Sequence, residues 1–152
     1  MSLKIGIIGF GYWGPNLVRN FNLTDGCDVK AVCDLSEERL TQVTKFYPRI
    51  KTFTDCKKFL ELDLDAVAVA TPVASHYSLA MQALQAGKHV LIEKPMAETS
   101  FQAKKLILEA RERELILMVD HTFIYTGAVR KIHDLYKKGE LGEIQYFDST
   151  RM

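Results

Sequence analysis

The chain has 152 residues, enough for one domain of ordinary size with a single good core, and its 47% hydrophobic content supports a globular fold. Twenty basic and 19 acidic side chains nearly cancel to a net charge of +1, which excludes a bulk electrostatic case for nucleic acid or an anionic membrane and leaves recognition to local groups. No apolar run reaches the roughly 18 residues that span a bilayer, and the N-terminus lacks the basic-then-apolar layout of a signal peptide, so the cytoplasm is the expected compartment.

Lys4-Ile5-Gly6-Ile7-Ile8 has the near-continuous hydrophobicity of a parallel strand covered on both faces. It runs into Gly9-Phe10-Gly11-Tyr12-Trp13-Gly14, with glycines at GxGxxG spacing, and then into a segment whose Leu17, Val18 and Phe21 share a helical face. The spacing gives each glycine a job: Gly9 makes the tight turn, Gly11 admits a pyrophosphate close to the backbone, and Gly14 lets the helix pack on the strand. A phosphate would sit on the helix N-terminus, where unpaired N–H groups and the dipole favour an anion. Pro15 is tolerated there because the first turn has no partner for the missing N–H. The competing reading is a tight turn that binds nothing.

Val29 to Asp34 reads as a second strand ending in a carboxylate, about 20 residues past the glycine loop, where this type of unit sets an acid against the adenosine ribose. Asp34 could instead cap the helix that begins near Ser36. A carboxylate at the ribose repels a 2′-phosphate, so NAD is favoured over NADP. Arg39 could soften that repulsion, but on a helix opened by Glu37 and Glu38 it is expected to be solvated. Cys27, Cys33 and Cys56 are odd in number and form no CxxC pair, which points to small core or surface thiols rather than a disulfide framework or zinc site.

Lys51-Thr52-Phe53 reads as a short strand, Asp55 to Leu60 as a short helix, and Asp65 to Ala70 as a buried strand stopped by Thr71-Pro72. Leu79, Ala80, Ala83 and Leu84 form the apolar face of a helix that Gly87 ends. His89 to Ile92 is a further strand, closed by Glu93-Lys94-Pro95. A helix from about Ser100 follows, with Thr99 and Gln102 placed as a capping box, and then a strand over Leu115 to Val119. Strands alternating with helices predict an α/β fold with a doubly wound, mainly parallel sheet whose ligands lie along the carboxyl edge. A last helix carries Val129, Ile132 and Tyr136 on one face. Gly142 to Arg151 then alternates like a half-buried strand, which we take as the opening of a second α/β domain that is otherwise absent, rather than an edge strand of the first sheet.

Chemistry is expected at the strand ends. Lys94 is placed to hydrogen-bond a substrate hydroxyl or carbonyl and stabilise a developing alkoxide during hydride transfer, or else it forms a surface ion pair beside a turn proline. Glu93 could pair with it or bind a ribose. His76, near the start of a helix, either touches a cofactor or serves the helix start, and His121 lies at the ligand-binding edge as a second candidate for chemistry. His89 and His133 read as structural, and no Ser/His/Asp arrangement or metal-ligand spacing stands out.

Taken together, Gly9 to Gly14, Ala70-Thr71-Pro72 followed by His76, Ala86-Gly87-Lys88-His89-Val90, and Glu93-Lys94-Pro95 resemble the Gfo/Idh/MocA oxidoreductase family, in order from about Lys4 to Arg151. The resemblance implies a Rossmann domain over residues 1–125. Residues 126–152 would be a connecting helix and the first strand of a C-terminal substrate domain, which often forms the subunit interface and makes a homo-oligomer the expected state, here with self-association near Ile144 to Phe147. It implies that Gly9 to Trp13 cradle the pyrophosphate, Asp34 holds the ribose, Thr71, Pro72 and His76 line the nicotinamide side, Glu93 touches the cofactor, and Lys94 is the catalytic lysine, with a cis bond before Pro95. The implied reaction is NAD-dependent hydride transfer with a sugar, sugar nucleotide or cyclitol, completed by a histidine of the C-terminal domain, so that the fragment alone is inactive. Relatives with an asparagine and arginines near His121, Thr122 and Phe123 differ from this chain there. A sensor that binds a dinucleotide without catalysis, or an imine or biliverdin-type reductase, are the other readings.

Overall fold

The computed structural model describes residues 2–150. β1 (Leu3–Ile8), β2 (Cys27–Cys33), β3 (Lys51–Phe53), β4 (Ala66–Val69), β5 (His89–Ile92) and β6 (Leu117–Val119) form one parallel sheet in the order β3-β2-β1-β4-β5-β6. The helices between them are α1 (Gly14–Leu23), α2 (Glu37–Phe46), α3 (Cys56–Leu60), α4 (Val73–Gln85) and α5 (Ser100–Glu112). The order reverses between β1 and β4, and at such a reversal the loops leaving two neighbouring strands diverge to opposite faces and open a crevice.

Successive strand residues point to opposite faces, and the core divides accordingly. Ile5, Ile7, Val32 and Ala68 pack with Val18 of α1 and with Leu40 and Val43 of α2. Ile8, Val67, Val69 and Ile92 pack with Phe59 of α3, Ala80 and Leu84 of α4 and Leu106 of α5. Each such side chain removed from water contributes about 1.5–3 kcal/mol, and burial on both faces is why the strands read as unbroken apolar runs. The doubly wound Rossmann-type sheet expected from the sequence is the fold observed.

The ends of the elements follow local chemistry. Ser36 and Thr99 cap α2 and α5 by accepting the Arg39 and Gln102 N–H groups, and Asp55 caps α3 through the Lys57 N–H. The Gln102 side chain reaches back to the Glu98 N–H at 3.1 Å, one residue short of the usual capping-box partner. The expected strand over Leu115 to Val119 is shorter, because Leu115 N–H still closes the end of α5 on the Ala110 carbonyl.

The chain divides into two compact units, the first ending at Asp120 and the second starting at His121. The second holds a 3-10 turn (Thr122–Tyr125) and α6 (Gly127–Lys137), with Ile132 and Tyr136 half exposed along the helix. The strand expected over Gly142 to Arg151 is not formed in its described part: residues 144–150 have no regular structure and join no sheet among the described residues, and Arg151 lies outside them. Alternating polarity in Ile144-Gln145-Tyr146-Phe147 suits one face of a sheet, but a strand forms only where a neighbour takes up its backbone N–H and C=O groups.

Candidate functional site

The carboxyl ends of β1, β2, β4 and β5 enclose a cleft of about 840 Å³, within the roughly 300–1,000 Å³ usual for small-molecule sites. The structure brings Gly9, Gly11, Tyr12, Trp13, Asp34, Thr71, Pro72, His76, Glu93 and Lys94 to its wall. Two residues of the glycine loop lie behind it: Phe10 is buried in the α1–α2 core, and Gly14 is buried at the start of α1. His121 belongs to the second unit.

The glycine loop has its shape because no side chain fits in it. Gly9 has φ +99°, and a Cβ there would lie 2.6 Å from the Ala70 carbonyl oxygen. A Cβ on Gly14 would lie 2.2 Å from the Gly9 carbonyl oxygen, so the loop folds directly onto the helix start. Among the described residues, the only neighbour within van der Waals range of a Cβ added at Gly11 is the Arg39 guanidinium, at 3.7 Å, which leaves the backbone open to the cleft. No side chain caps α1, and its first turn has no acidic residue. α4, whose first residues also border the cleft, is uncapped as well. α2, α3 and α5 carry Ser, Asp and Thr caps, which leaves α1 and α4 as the helices at the cleft whose starts have no side-chain cap to compete with an anion.

Asp34 is 8% exposed and both its carboxylate oxygens are occupied. Oδ2 accepts the Phe10 N–H at 2.6 Å, and Oδ1 accepts the Ser36 N–H at 2.8 Å. The residue thus ties the glycine loop to the start of the next helix, and Ser36, not Asp34, supplies the helix cap. Arg39, expected to be solvated, turns back instead, with Nη1 3.5 Å from Asp34 Oδ2 and its side chain half exposed in the cleft wall.

His76 is 1% exposed, with Nδ1 2.8 Å from the Pro95 carbonyl oxygen and Nε2 2.7 Å from that of Thr71. Each ring nitrogen faces a backbone carbonyl oxygen, so His76 lies between the turn after β4 and the turn after β5 with neither nitrogen turned toward the open cleft. Ser75, which the sequence did not single out, has its Oγ 2.8 Å from the Thr71 hydroxyl and holds that hydroxyl at the cleft. The Lys94–Pro95 bond is cis, as the resemblance implies.

Parallel register pairs Ile92 with Val119, so Glu93 and Asp120 follow side by side at the ends of β5 and β6. Burial of Glu93, together with the hydrogen bond its protonated carboxyl donates to Asp120 and the like charge of that residue, pushes its carboxyl above the ordinary range, while the Lys94 N–H and ammonium oppose the shift. Lys94 itself is exposed and free to meet a ligand. No cluster of metal-ligating side chains occurs among the described residues.

The family model described as "Oxidoreductase family, NAD-binding Rossmann fold" matches residues 3–121. A dTDP-3,4-didehydro-2,6-dideoxy-alpha-D-glucose 3-reductase of Actinomadura kijaniata is 37% identical over 80% of this chain and 41% of its own length. The scyllo-inositol 2-dehydrogenase (NADP(+)) IolW of Bacillus subtilis is 29% identical over 96% of this chain and 40% of its own. Among solved structures, GenD2 from gentamicin A biosynthesis in complex with NAD superposes with a TM-score of 0.86 at 28% identity, covering 91% of this chain and 40% of that one. The chain spans less than half the length of the curated relatives it matches. With a family match over most of its residues, the chain belongs to the Gfo/Idh/MocA oxidoreductase family, and its residues 3–121 correspond to the family's NAD(P)-binding Rossmann domain.

Proposed function

We propose that the protein carrying this chain is a nicotinamide-dependent dehydrogenase acting on a hydroxyl or ketone of a sugar, sugar nucleotide or cyclitol. The observation that carries this reading is the convergence on one cleft of an uncapped α1 N-terminus behind the glycine loop, the Asp34 carboxylate and the exposed Lys94. The open space at Gly11 and the start of α1, which no side chain caps, suit a pyrophosphate. Asp34 suits the adenosine ribose, and Thr71, Pro72 and Glu93 the nicotinamide end. The nicotinamide supplies or accepts the hydride when bound. The chain's own task is orientation and charge: the Lys94 ammonium donates a hydrogen bond to the reacting oxygen and favours the alkoxide that builds up on it. A C-terminal domain opening within residues 126–152 would complete the substrate site and support a homo-oligomer.

NAD is the favoured cofactor in this proposal, because the Asp34 carboxylate opposes a 2′-phosphate and Arg39 is already drawn toward that carboxylate. The test titrates NADH and NADPH into the protein and measures turnover of the Lys94→Ala variant. We expect tighter NADH binding, unchanged cofactor affinity in the variant, and a loss of kcat of about 100-fold or more. Normal turnover of Lys94→Ala would sink the mechanism.

A further inference from the structure

Cys33 and Cys56 have no part in the reading above, yet both line the cleft. Phe53 of β3 stands in register with Cys33 of β2, and the ladder closes with the Asp34 N–H donating to the Phe53 carbonyl at 3.1 Å. Only Thr54 and Asp55 separate Phe53 from α3, which turns back to pack on β2. The turn returns Cys56 to the end of β2, where Cys33 is buried in a core cluster and Cys56 packs, half-buried, against the same cluster in the same cleft wall. Cys27 lies at the other end of β2, roughly 20 Å away at about 3.3 Å per residue.

We propose that Cys33 and Cys56 form a redox-active dithiol in the wall of the cofactor cleft, closed to a disulfide by a small glutathione-type disulfide, and that closure weakens dinucleotide binding. The second half rests on the proposed dinucleotide site. The two thiols have distinct roles. Hydrogen bonding from Cys33 draws the Cys56 thiol below its ordinary range, while the same hydrogen bond and then burial push Cys33 up, so the thiolate forms on the sulfur that solvent can reach. The Cys56 thiolate attacks one sulfur of the small disulfide and expels the first small thiolate. Cys33 then gives up its proton and attacks Cys56 Sγ, expelling the second. Two protein thiols lose two electrons and two protons, and one small disulfide becomes two small thiols.

The link would be felt at the site because Cys33 is wired into it. Its carbonyl accepts the Gly9 N–H at 2.7 Å, and the next residue is Asp34, whose carboxylate holds the Phe10 N–H. Thr54, in the turn that a disulfide would draw inward, lines the same wall. A bound dinucleotide would in turn cover Cys56 and slow its attack.

The test incubates the protein carrying this chain with oxidised glutathione, with and without saturating NADH, then alkylates, digests and maps the thiols. NADH affinity is measured before oxidation, after it, and after dithiothreitol. We expect a linked Cys33–Cys56 peptide pair, NADH binding weaker by about tenfold or more and restored by reduction, and slower linking when NADH is present. In Cys56→Ser, and separately in Cys33→Val should a serine be poorly tolerated in the core, the oxidised-to-reduced affinity ratio falls to unity whatever the absolute affinity. Cys27→Ser keeps the wild-type ratio. A glutathione adduct on Cys56 that never resolves, a link through Cys27, or a Cys33–Cys56 link with unchanged NADH affinity overturns the proposal. Reduced protein that binds neither NADH nor NADPH overturns the dinucleotide reading, and with it the affinity half; the linked peptide decides the dithiol by itself.

Discussion

Replacing Asp34 by asparagine isolates what its carboxylate does for the fold before any ligand arrives. The aspartate offers one oxygen to the Phe10 N–H and the other to the Ser36 N–H, at 2.6 and 2.8 Å. Asparagine keeps the shape but has only one oxygen, so whichever way the amide is turned, one of these N–H groups faces an NH2. Leaving a buried donor without its acceptor costs about 1–3 kcal/mol, and the bond that remains loses its charge assistance. A loss of about 2 kcal/mol, roughly 30-fold in the folding equilibrium, is therefore expected. The Arg39 contact adds little: at 3.5 Å with the guanidinium half exposed it is worth less than about 0.5 kcal/mol. Urea unfolding of the chain without nucleotide, followed by far-UV circular dichroism, measures Asp34→Asn beside Arg39→Ala. An asparagine variant within about 0.5 kcal/mol of wild type, or equal losses in the two variants, would refute the argument that the carboxylate serves the glycine loop first.

Gly14→Ala pits helix propensity against space: alanine should gain up to about 1 kcal/mol in a helix, but its Cβ would stand 2.2 Å from the Gly9 carbonyl oxygen, and overpacking against backbone costs about 1–3 kcal/mol. Net destabilisation with weakened NADH binding is expected, and a variant more stable than wild type by thermal denaturation would show that the loop yields freely. Glu93 sets a pH dependence. Its raised carboxyl makes the folded chain bind more protons than the unfolded one between 4.5, the ordinary glutamate value, and the raised value, so its contribution is fully present below 4.5 and is lost as pH rises through that window. Glu93→Gln should abolish this decline and Asp120→Asn should reduce it, as read from urea midpoints across the pH range; an identical decline in all three proteins would assign it to other groups.

The sheet was legible in the sequence because its signals are local. β1 and β4 are apolar on both faces, the glycine spacing encodes a turn that only glycine can make, and Thr71-Pro72 and Lys94-Pro95 stop their strands through the backbone alone. Site features that depend on where a side chain ends up were not legible. Asp34 had two alternative readings, ribose ligand or helix cap, while its observed partners include a backbone group 24 residues away. Arg39 reads as solvated from its acidic neighbours on α2, but its reach to Asp34 depends on how that helix meets the strand end. Cys33 and Cys56 are far apart in sequence and become neighbours only when β3 pairs with β2 and α3 folds back. The segment 142–150 erred in the other direction, since periodicity reports a face that could be buried and is silent on whether a hydrogen-bonding partner exists.

Among the described residues three polar or charged side chains are buried, Asp34, His76 and Glu93, and all three stand at the carboxyl edge. Burying such groups is costly unless each is fully paired, and no buried side-chain N or O atom lacks a partner among the described residues. Their partners are not scattered. Asp34 joins the end of β2 to the loop after β1, His76 joins the turn after β4 to that after β5, and Glu93 meets Asp120 across the ends of β5 and β6. An apolar core would hold the sheet together at lower cost, yet would leave these loops free to move independently. Hydrogen bonds fix direction as well as distance, so this arrangement sets the loops relative to one another before a ligand binds and lowers the ordering that binding must supply. Lys94 depends on it most directly: its side chain is exposed, but the residue before it, Glu93, is held against Asp120 and the residue after it, Pro95, is held by His76, so the backbone that carries it is fixed on both sides.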